Sequence, residues 1–293
     1  MHHQSQTMGT ANTVPAFQKG RDIMRRNLME EHKQRFGCEK PIIGCLHLRA
    51  LPGTPLWDPS YTMEQHVADL KEEAHILMEL GFDGAVFANE ADYPYVEHIG
   101  EGALAAYTRI VTEVSRELTI PFGVGIMNDP YSAISVAKAV GAVFCRGFFL
   151  GSQVGNYGEI RKTPGDIWRY AKSIGAADVA VYSSFEPHNG SSLDTRSTEE
   201  MFNTYYKDTP VAGYSMNGPK KGEKPSESMI AKCKALNPDI PINFNNGANP
   251  DNIKEMLKYC DMVVVGTALK KDHYLFNPID YDNAKAFITA ARS

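Results

Sequence analysis

From residue 41 onwards, the chain repeats one pattern: a short apolar run, a glycine or polar turn, and an amphipathic helical stretch. Short apolar runs rich in branched side chains are typical of buried strands. They predict eight strands, at 41–48, 84–88, 121–127, 142–146, 179–184, 211–215, 240–244 and 262–265. Between them, apolar positions three or four residues apart predict helices at 63–77, 101–118, 131–140, 164–174, 198–207, 225–236 and 283–290, with a shorter stretch at 253–257.

Buried strands that are joined by helices lie parallel to one another, with right-handed crossovers. Eight such units in about 250 residues match the (β/α)8, or TIM, barrel in number and length. We therefore predict an α/β protein with a closed eight-stranded barrel. The alternative, a doubly wound open sheet, would need a glycine-rich phosphate-binding turn after the first strand, where the sequence has Gly44-Cys45-Leu46-His47 instead.

The sequence before the barrel divides into two parts. Residues 1–20 are polar and show no periodic pattern, so we expect them to be disordered. Residues 21–40 form a predicted helical extension, in which Met24, Leu28 and His32 share one face. We expect this helix either to cover one end of the barrel or to contribute to an oligomer interface, and we assign residues 41–293 to the barrel domain.

Composition narrows the class of protein. The chain has 293 residues, of which 43% are hydrophobic and 22% are charged, and its net charge is −5. These values are ordinary for a soluble globular protein and give no reason to expect a nucleic acid partner. No apolar run approaches the roughly 20 residues that cross a bilayer, and the N-terminus lacks the apolar core of a signal peptide. The five cysteines form no CxxC motif, so we expect a cytoplasmic protein with reduced thiols.

The strongest chemical signal lies between residues 240 and 270, where each of the last two predicted strands ends in a glycine turn. In a parallel barrel these turns commonly bind phosphate, because glycine lets the backbone approach and helix N-termini offer free N–H groups. Gly247 and Gly266 therefore predict a phosphate or carboxylate site, although both would also serve simply to turn the chain. The residues assigned to substrate binding are Asn89, Asn128, Arg146, Asn246, Gly247, Ala248, Gly266, Thr267 and Lys270.

Ionisable side chains follow other predicted strands, and the fold would bring them to the same mouth. The residues assigned to proton transfer are His47, His188, Asp92, Asp129 and Glu186. The two histidines stand at strand ends and would exchange protons, while a carboxylate would orient one of them. Asp92, Asp129 or Glu90 would also hold a divalent metal, although no ligand spacing singles out a metal site.

Each candidate has a structural alternative. His47 would equally serve as a core histidine, Asn128 and Asp129 as a helix cap, and Lys270 as surface charge. Arg146 is harder to explain in this way, because a buried guanidinium needs an acidic partner or an anionic ligand.

Four motifs occur together: Pro41–His47 with Leu51-Pro52-Gly53-Thr54-Pro55, Asn89 to Pro94, Asn128-Asp129, and Val265-Gly266-Thr267-Ala268-Leu269-Lys270. Together they resemble the BtpA/SgcQ family from about residue 41 to the C-terminus. The resemblance implies a TIM barrel close to the ribulose-phosphate-binding barrels. It also implies functional positions at His47, Asn89, Asp92, Asn128, Asp129, His188, Gly247, Gly266, Thr267 and Lys270. The founding member is linked to photosystem I biogenesis and other members lie among sugar-uptake genes, but no settled reaction comes with the family.

The chain departs from the family pattern at several strand ends. Ala88 stands where family members carry a glutamate, and Pro187 replaces a lysine before His188. The segments 213–215 and 245–247 replace a Ser-Gly pair and a Gly-Ser-Gly turn. The residues predicted to bind the anion therefore mostly match the family pattern, whereas those predicted for acid–base chemistry differ from it.

Two hypotheses follow from these observations. In the first, the protein is an enzyme that acts by acid–base chemistry on a phosphorylated sugar or similar metabolite, as a lyase, isomerase or epimerase. In the second, it is a non-catalytic binding or assembly factor, with peripheral membrane association if a photosystem-related role applies. Phosphoribosyl transfer or nucleoside chemistry ranks last, because no acidic pyrophosphate-binding pair is present. The partners we expect are a small phosphorylated or anionic ligand and further copies of the chain.

Overall fold

Eight parallel strands close into a barrel in the computed structural model, which describes residues 26–184, 190–218 and 223–293. The barrel strands are β1 (Ile42–His47), β2 (Gly84–Ala88), β3 (Phe122–Gly125), β4 (Phe144–Phe148), β7 (Ala180–Ser184), β9 (Gly213–Asn217), β10 (Ile242–Asn245) and β11 (Met262–Val265). They neighbour one another in chain order, and β11 closes on β1 with Val263 beside Ile42. The predicted barrel is confirmed, and this closure excludes the open sheet.

Helices surround the barrel in the predicted order. They are α1 (Leu28–Phe36), α2 (Met63–Glu79), α3 (Glu101–Ser115), α4 (Pro130–Val140), α5 (Pro164–Ser173), α6 (Thr198–Asp208), α7 (Glu227–Leu236), α8 (Ile253–Met256) and α9 (Tyr281–Arg292). Because helices cover the outer face, strands such as β11, Met-Val-Val-Val, are buried on both sides and read as continuous apolar runs. None of the helices in the described ranges is long and apolar enough to cross a bilayer.

Helix α1 covers the end of the barrel where the strands begin. The Phe36 ring packs against Phe144, the first residue of β4, at 5.5 Å, and against Tyr182 at 6.3 Å. On the same helix, Arg35 Nη1 donates a hydrogen bond to the Tyr182 hydroxyl at 3.0 Å. The predicted disorder of residues 1–20 and the first residues of the extension lie outside the described residues.

A second, smaller sheet was not predicted. It contains β5 (Ser152–Gly155), β6 (Gly158–Arg161) and β8 (Gly190–Ser192), which pair antiparallel in the order β6-β5-β8. Its strands are short, polar and largely exposed, so the sequence between β4 and α5 lacks the apolar pattern that marks the barrel strands. This sheet stands at the end of the barrel where β4 and β7 finish.

Candidate functional site

A cavity of about 560 Å³ opens where β1, β10 and β11 end. Both predicted glycine turns line it: Gly247 and Ala248 follow β10, and Gly266 and Thr267 follow β11. Asn246, with a left-handed φ of 71°, lines the same cavity. The two turns therefore face one common space, as a shared anion site requires.

The helix after β10 contributes less to this site than the sequence suggested. Helix α8 has only four residues, and the Asn249 side chain accepts hydrogen bonds from the backbone N–H groups of Asp251 at 3.0 Å and Asn252 at 3.1 Å. These N–H groups are therefore already satisfied, and the expected helix N-terminus is not an anion site.

Arg146 places a positive charge at the cavity. Its Nη1 donates to Asn245 Oδ1 at 3.1 Å, and its contacts with the described residues include no carboxylate. The Nε atom is buried and has no hydrogen-bond partner in that part of the chain. A guanidinium is a permanent positive charge, so Arg146 makes this part of the cavity wall cationic.

His47 ends β1 and lines the cavity beside the second glycine turn. A Cβ atom built on Gly266 would lie only 2.6 Å from His47 Cε1. Gly266 has a φ of −126° and a ψ of −84°, which lies outside the usual α and β regions, so glycine is needed here for the backbone as well as for space. The glycine lets the imidazole lie directly against the predicted anion turn.

Glu90 is the acidic residue that the structure adds to the site. It is buried, lines the cavity, and its Oε2 accepts a hydrogen bond from the Tyr95 hydroxyl at 3.1 Å. The sequence considered Glu90 only as a metal ligand, although its position just after β2 is a barrel-mouth position. Cys45 also lines the cavity, but burial raises the pKa of its thiol to about 11, so it stays protonated and is a poor nucleophile.

Asp92 and Asn89 link loops and do not line the main cavity. Asp92 Oδ1 accepts a hydrogen bond from the Leu51 N–H at 2.9 Å, and its Oδ2 accepts one from Asn89 Nδ2 at 2.9 Å. Asn89 Oδ1 in turn accepts from the Met127 N–H at 2.8 Å. Burial raises the pKa of Asp92. The two residues connect the loops after β1, β2 and β3, and their predicted catalytic and substrate-binding roles stay predictions.

Asp129 makes structural contacts in the fold, and its predicted catalytic role stays a prediction. Its Oδ1 accepts from the Ser132 N–H at 3.0 Å, which caps α4, and its Oδ2 accepts from the Ser132 hydroxyl at 2.7 Å and the Ile99 N–H at 3.2 Å. Both carboxylate oxygens are therefore engaged in loop and cap contacts. The helix cap, which was the structural alternative, describes what Asp129 does in the fold.

Lys270 does not point to the anion turns. Its side chain is buried, and Nζ lies 2.7 Å from Glu73 Oε2 on α2. The predicted phosphate contact is therefore replaced by an internal ion pair. Spacing alone could not reveal this, because the partner lies 197 residues away in the sequence.

The remaining candidates are a metal site and two residues beyond β7. In the three described ranges, no group of three or more histidine, cysteine or acidic side chains is close enough to bind a metal ion. Glu90, Asp92 and Asp129 thus do not assemble the divalent-metal site considered above. His188 and Glu186 lie outside the described residues.

The structure adds His273 and Asn283 to the cavity wall. His273 lies in the loop after β11, where it and Asp272 have left-handed φ angles of 50° and 55°. Such angles are uncommon outside glycine and are often found at ligand sites. The sequence missed His273 because it lies beyond the strand end, in a stretch interpreted as surface charge.

Taken together, the fold and the site define a TIM barrel with a polar cavity at the ends of its strands. A sequence model described as the BtpA family matches residues 38–293. The chain belongs to the BtpA family, which confirms the resemblance seen in the motifs.

Two of the similar proteins come from bacteria. The sgc region protein SgcQ of Escherichia coli K12 is 29% identical over 257 residues, covering 87% of this chain and 96% of that protein. The photosystem I biogenesis protein BtpA of a Synechocystis strain is 26% identical over 260 residues, covering 88% and 90%.

Solved structures with the same fold are more distant in sequence. Phosphoribosyl anthranilate isomerase from Thermus thermophilus superimposes with a TM-score of 0.55 at 12% identity, covering 86% of this chain and 98% of that one. Thiamine phosphate pyrophosphorylase from Pyrococcus furiosus gives 0.52 at 12% identity, covering 88% and 98%. At these identities the likeness shows the fold alone.

Proposed function

We propose that the protein is an enzyme that acts by acid–base chemistry on a phosphorylated sugar or similar small anionic metabolite. The observation that carries this proposal is the arrangement around Arg146. Its guanidinium has no carboxylate partner among the described residues, and it lines a cavity of about 560 Å³ that His47 and Glu90 also line. A fixed positive charge beside two proton-transfer groups suits a substrate that has an anionic group and an acidic C–H or O–H bond.

Each of these residues has a role in this proposal. Arg146 binds the phosphate, helped by the backbone at Gly247 and Gly266. Either His47 or Glu90 removes a proton from a carbon beside a carbonyl group, and the other returns a proton to carbon or oxygen. This exchange is common to isomerases, epimerases and aldol-type lyases, so the residues support the reaction class without selecting one member.

Binding of phosphate compounds tests the first part of the proposal. We expect ribose 5-phosphate to raise the melting temperature and free ribose to have no effect. A ligand present at 100 times its Kd stabilises the fold by about 2.7 kcal/mol, which a thermal melt resolves. Arg146→Met should remove the effect, whereas Arg169→Met, whose side chain is 80% exposed on α5, should not. Equal binding to Arg146→Met and the wild type would contradict the proposal.

Proton exchange tests the catalytic part. In D₂O, we expect deuterium to enter the carbon next to the carbonyl of at least one sugar phosphate in a panel, as followed by NMR. His47→Gln and Glu90→Gln should each slow this exchange at least tenfold, because general acid–base catalysis contributes about 10²–10⁴ in rate. Exchange at an unchanged rate in both variants would show that other groups transfer the proton.

The non-catalytic alternative has one structural observation in its favour. Leu56, Val96 and Tyr274 lie on loops at the mouth of the barrel and are 50%, 54% and 56% exposed. Such apolar side chains suit a protein partner, and one relative is named as a photosystem I biogenesis protein. Full cellular function of a His47→Gln protein, together with no deuterium exchange on any sugar phosphate, would favour this alternative. Self-association stays a prediction, which sedimentation would test.

A further inference from the structure

A second cavity, of about 200 Å³, lies beside the main one, between α2 and the loop after β11. We call it the α2 pocket. His47 and Leu275 line both cavities. His47 also adjoins the Gly266 turn. A ligand that has its phosphate at that turn therefore needs only to pass the imidazole for its other end to enter the α2 pocket.

One face of α2 supplies a wall of this pocket. His66, Leu70 and Glu73 recur at spacings of four and three residues, which places them on the same side of the helix. Leu48 and Ile279, both buried, line the pocket as well. The α2 pocket thus combines apolar walls with a small number of polar groups, as many ligand sites do.

His66 has one ring nitrogen without a hydrogen-bond partner. Its Nε2 accepts a hydrogen bond from the Arg49 N–H at 2.9 Å, so this nitrogen carries no proton. Burial lowers the pKa of His66 to about 4, which keeps the ring neutral, and its single proton is therefore on Nδ1. The Nδ1 atom is buried and has no partner in the described parts of the chain. A buried donor without an acceptor is costly, so we expect an oxygen atom in the α2 pocket to accept from it.

The charges around the α2 pocket limit the kind of oxygen that it holds. Its charged lining residues are Arg49, Asp69, Glu72 and Glu73. The Arg49 guanidinium already lies over the Tyr61 ring, at 4.4 Å from its centroid, and 3.9 Å from Asp69 Oδ2. Carboxylates repel an anion, whereas a hydroxyl group can both accept from the imidazole and donate to a carboxylate. The pocket therefore suits uncharged hydroxyl groups rather than a second phosphate.

The volume of the α2 pocket sets the size of the group that fits. An apolar cavity of about 150 Å³ holds benzene, which has about six non-hydrogen atoms. By that comparison, about 200 Å³ takes roughly eight, which corresponds to about four carbons that each bear a hydroxyl. A complete hexose ring, with about twelve non-hydrogen atoms, is too large by the same comparison.

We propose that the ligand of this protein has an acyclic tail of uncharged, hydroxyl-bearing carbons, which lies in the α2 pocket while the phosphate occupies the main cavity. The proposal rests on the proposed function, since Arg146 and the glycine turns must hold the phosphate. It narrows the substrate class to polyhydroxy chains that are phosphorylated at one end only. His47 then lies beside the middle of the chain rather than at its end.

Three acyclic compounds separate the tail from the phosphate. sn-Glycerol 3-phosphate has a short chain, and D-glucitol 6-phosphate extends the chain by three hydroxyl-bearing carbons. 6-Phosphogluconate has the same length and stereochemistry as the glucitol compound but ends in a carboxylate. By isothermal titration calorimetry, we expect D-glucitol 6-phosphate to bind at least tenfold more tightly than either of the other two compounds.

Three variants each change one feature of the α2 pocket. His66→Gln keeps an acceptor for the Arg49 N–H but has no donor at the position of Nδ1. It should reduce the preference for D-glucitol 6-phosphate over sn-glycerol 3-phosphate about three- to tenfold. Ile76→Phe fills part of the pocket and should reduce the same preference. Asp69→Asn removes one negative charge and should instead narrow the difference between D-glucitol 6-phosphate and 6-phosphogluconate.

The controls establish that these effects belong to the tail. All three variants should leave the affinity for sn-glycerol 3-phosphate within twofold of the wild type. His75→Gln, whose side chain is 60% exposed on the same helix, is the matched control for His66→Gln and should leave all three affinities unchanged. Circular dichroism and thermal melts establish that each variant is folded. If His66→Gln does not fold, Ile76→Phe and Asp69→Asn still test the pocket.

The outcomes separate this inference from the proposed function. If sn-glycerol 3-phosphate and D-glucitol 6-phosphate bind equally well, and Arg146→Met weakens both, the anion site stands and the inference about the tail is wrong. It is also wrong if the preference for D-glucitol 6-phosphate survives in the folded pocket variants, or if 6-phosphogluconate binds as tightly as the glucitol compound. If none of the three compounds binds, or Arg146→Met binds them all as the wild type does, the proposed function fails and this inference fails with it.

Discussion

The ammonium group of Lys270 lies 2.7 Å from the Glu73 carboxylate, and Lys270 is only 1% exposed. Burial raises the pKa of Glu73, and the nearby charge of Lys270 opposes part of that effect. The ion pair joins α2 to the start of the loop that carries His273 to the cavity. Its contribution to function is therefore to hold a wall of the site in place.

Removing one partner of this pair should destabilise the protein strongly. Lys270→Met leaves the Glu73 carboxylate buried without a counter-charge, and we expect the free energy of unfolding to fall by about 3–5 kcal/mol. Urea denaturation at neutral pH measures this loss. Lys271→Met, which changes the exposed neighbour, is the control and should change stability by less than about 0.5 kcal/mol.

The double variant Lys270→Met/Glu73→Leu tests whether the ion pair itself stabilises the fold, or whether the loss in the single variant comes from leaving one buried charge unpaired. Because it buries two apolar side chains in place of two charges, it should recover most of the stability lost in the single variant. A double variant that is less stable than Lys270→Met would show that the ion pair itself stabilises the fold.

His32 should make stability depend on pH. Its Nδ1 accepts from the Tyr182 hydroxyl at 2.6 Å, and its Nε2–H donates to the Asp261 carbonyl oxygen at 3.1 Å. Burial lowers its pKa from 6.5 to about 4. Between these values the unfolded chain binds a proton that the folded protein does not, so stability falls as pH drops from about 6.5 to about 4, by up to about 3 kcal/mol from His32 alone.

The variant His32→Gln tests this pH dependence, because glutamine can still donate and accept but does not titrate. Denaturation at several pH values should show a slope reduced by up to about 1.4 kcal/mol per pH unit in that window. Part of the slope should remain, because burial also lowers the pKa of His66 to about 4. The exposed His75, changed to glutamine, serves as the control, and an unchanged slope in His32→Gln would refute the assignment.

The barrel was predictable because each element is specified by local sequence. The run Met262–Val265 is apolar throughout, and Thr62 forms a capping box with Gln65 at the start of α2. Side-chain partners were not predictable in the same way. Lys270 and Asp129 looked like site residues, but long-range pairing with Glu73 and short-range capping of α4 decide their roles. The polar strands β5 and β6 gave no hydrophobic signal, so the small second sheet could not be foreseen.

The distance between Gly266 and His47 predicts the effect of the smallest substitution at the site. Gly266→Ala would place a methyl group 2.6 Å from His47 Cε1, so the imidazole must move. We expect the protein to fold, with ribose 5-phosphate affinity and deuterium exchange reduced at least tenfold. NMR of the His47 ring should show the displacement directly.

Two further variants establish that the imidazole is the cause. Gly102→Ala, where an added Cβ meets nothing nearer than 3.4 Å, should leave binding unchanged. In a His47→Ala background, Gly266→Ala should reduce stability less, because the clash with the imidazole is gone while the backbone conformation of residue 266 is unchanged. A stability loss of equal size in both backgrounds would mean that the methyl group is rejected by another neighbour.

Lys162 should hold the β5–β6 hairpin in place. Its Nζ donates to the Asn128 carbonyl oxygen at 2.5 Å, its side chain is 4% exposed, and burial lowers its pKa. This contact ties the base of the β5–β6 hairpin to the loop after β3. We expect Lys162→Met to increase amide hydrogen exchange in residues 152–161 at least tenfold, because the hairpin loses this contact.

The adjacent Arg161 provides the matched control, because its side chain is 72% exposed. Arg161→Met should leave the hydrogen exchange of the hairpin as in the wild type. If Lys162→Met instead raised exchange evenly across the barrel strands, Lys162 would stabilise the whole fold rather than the hairpin.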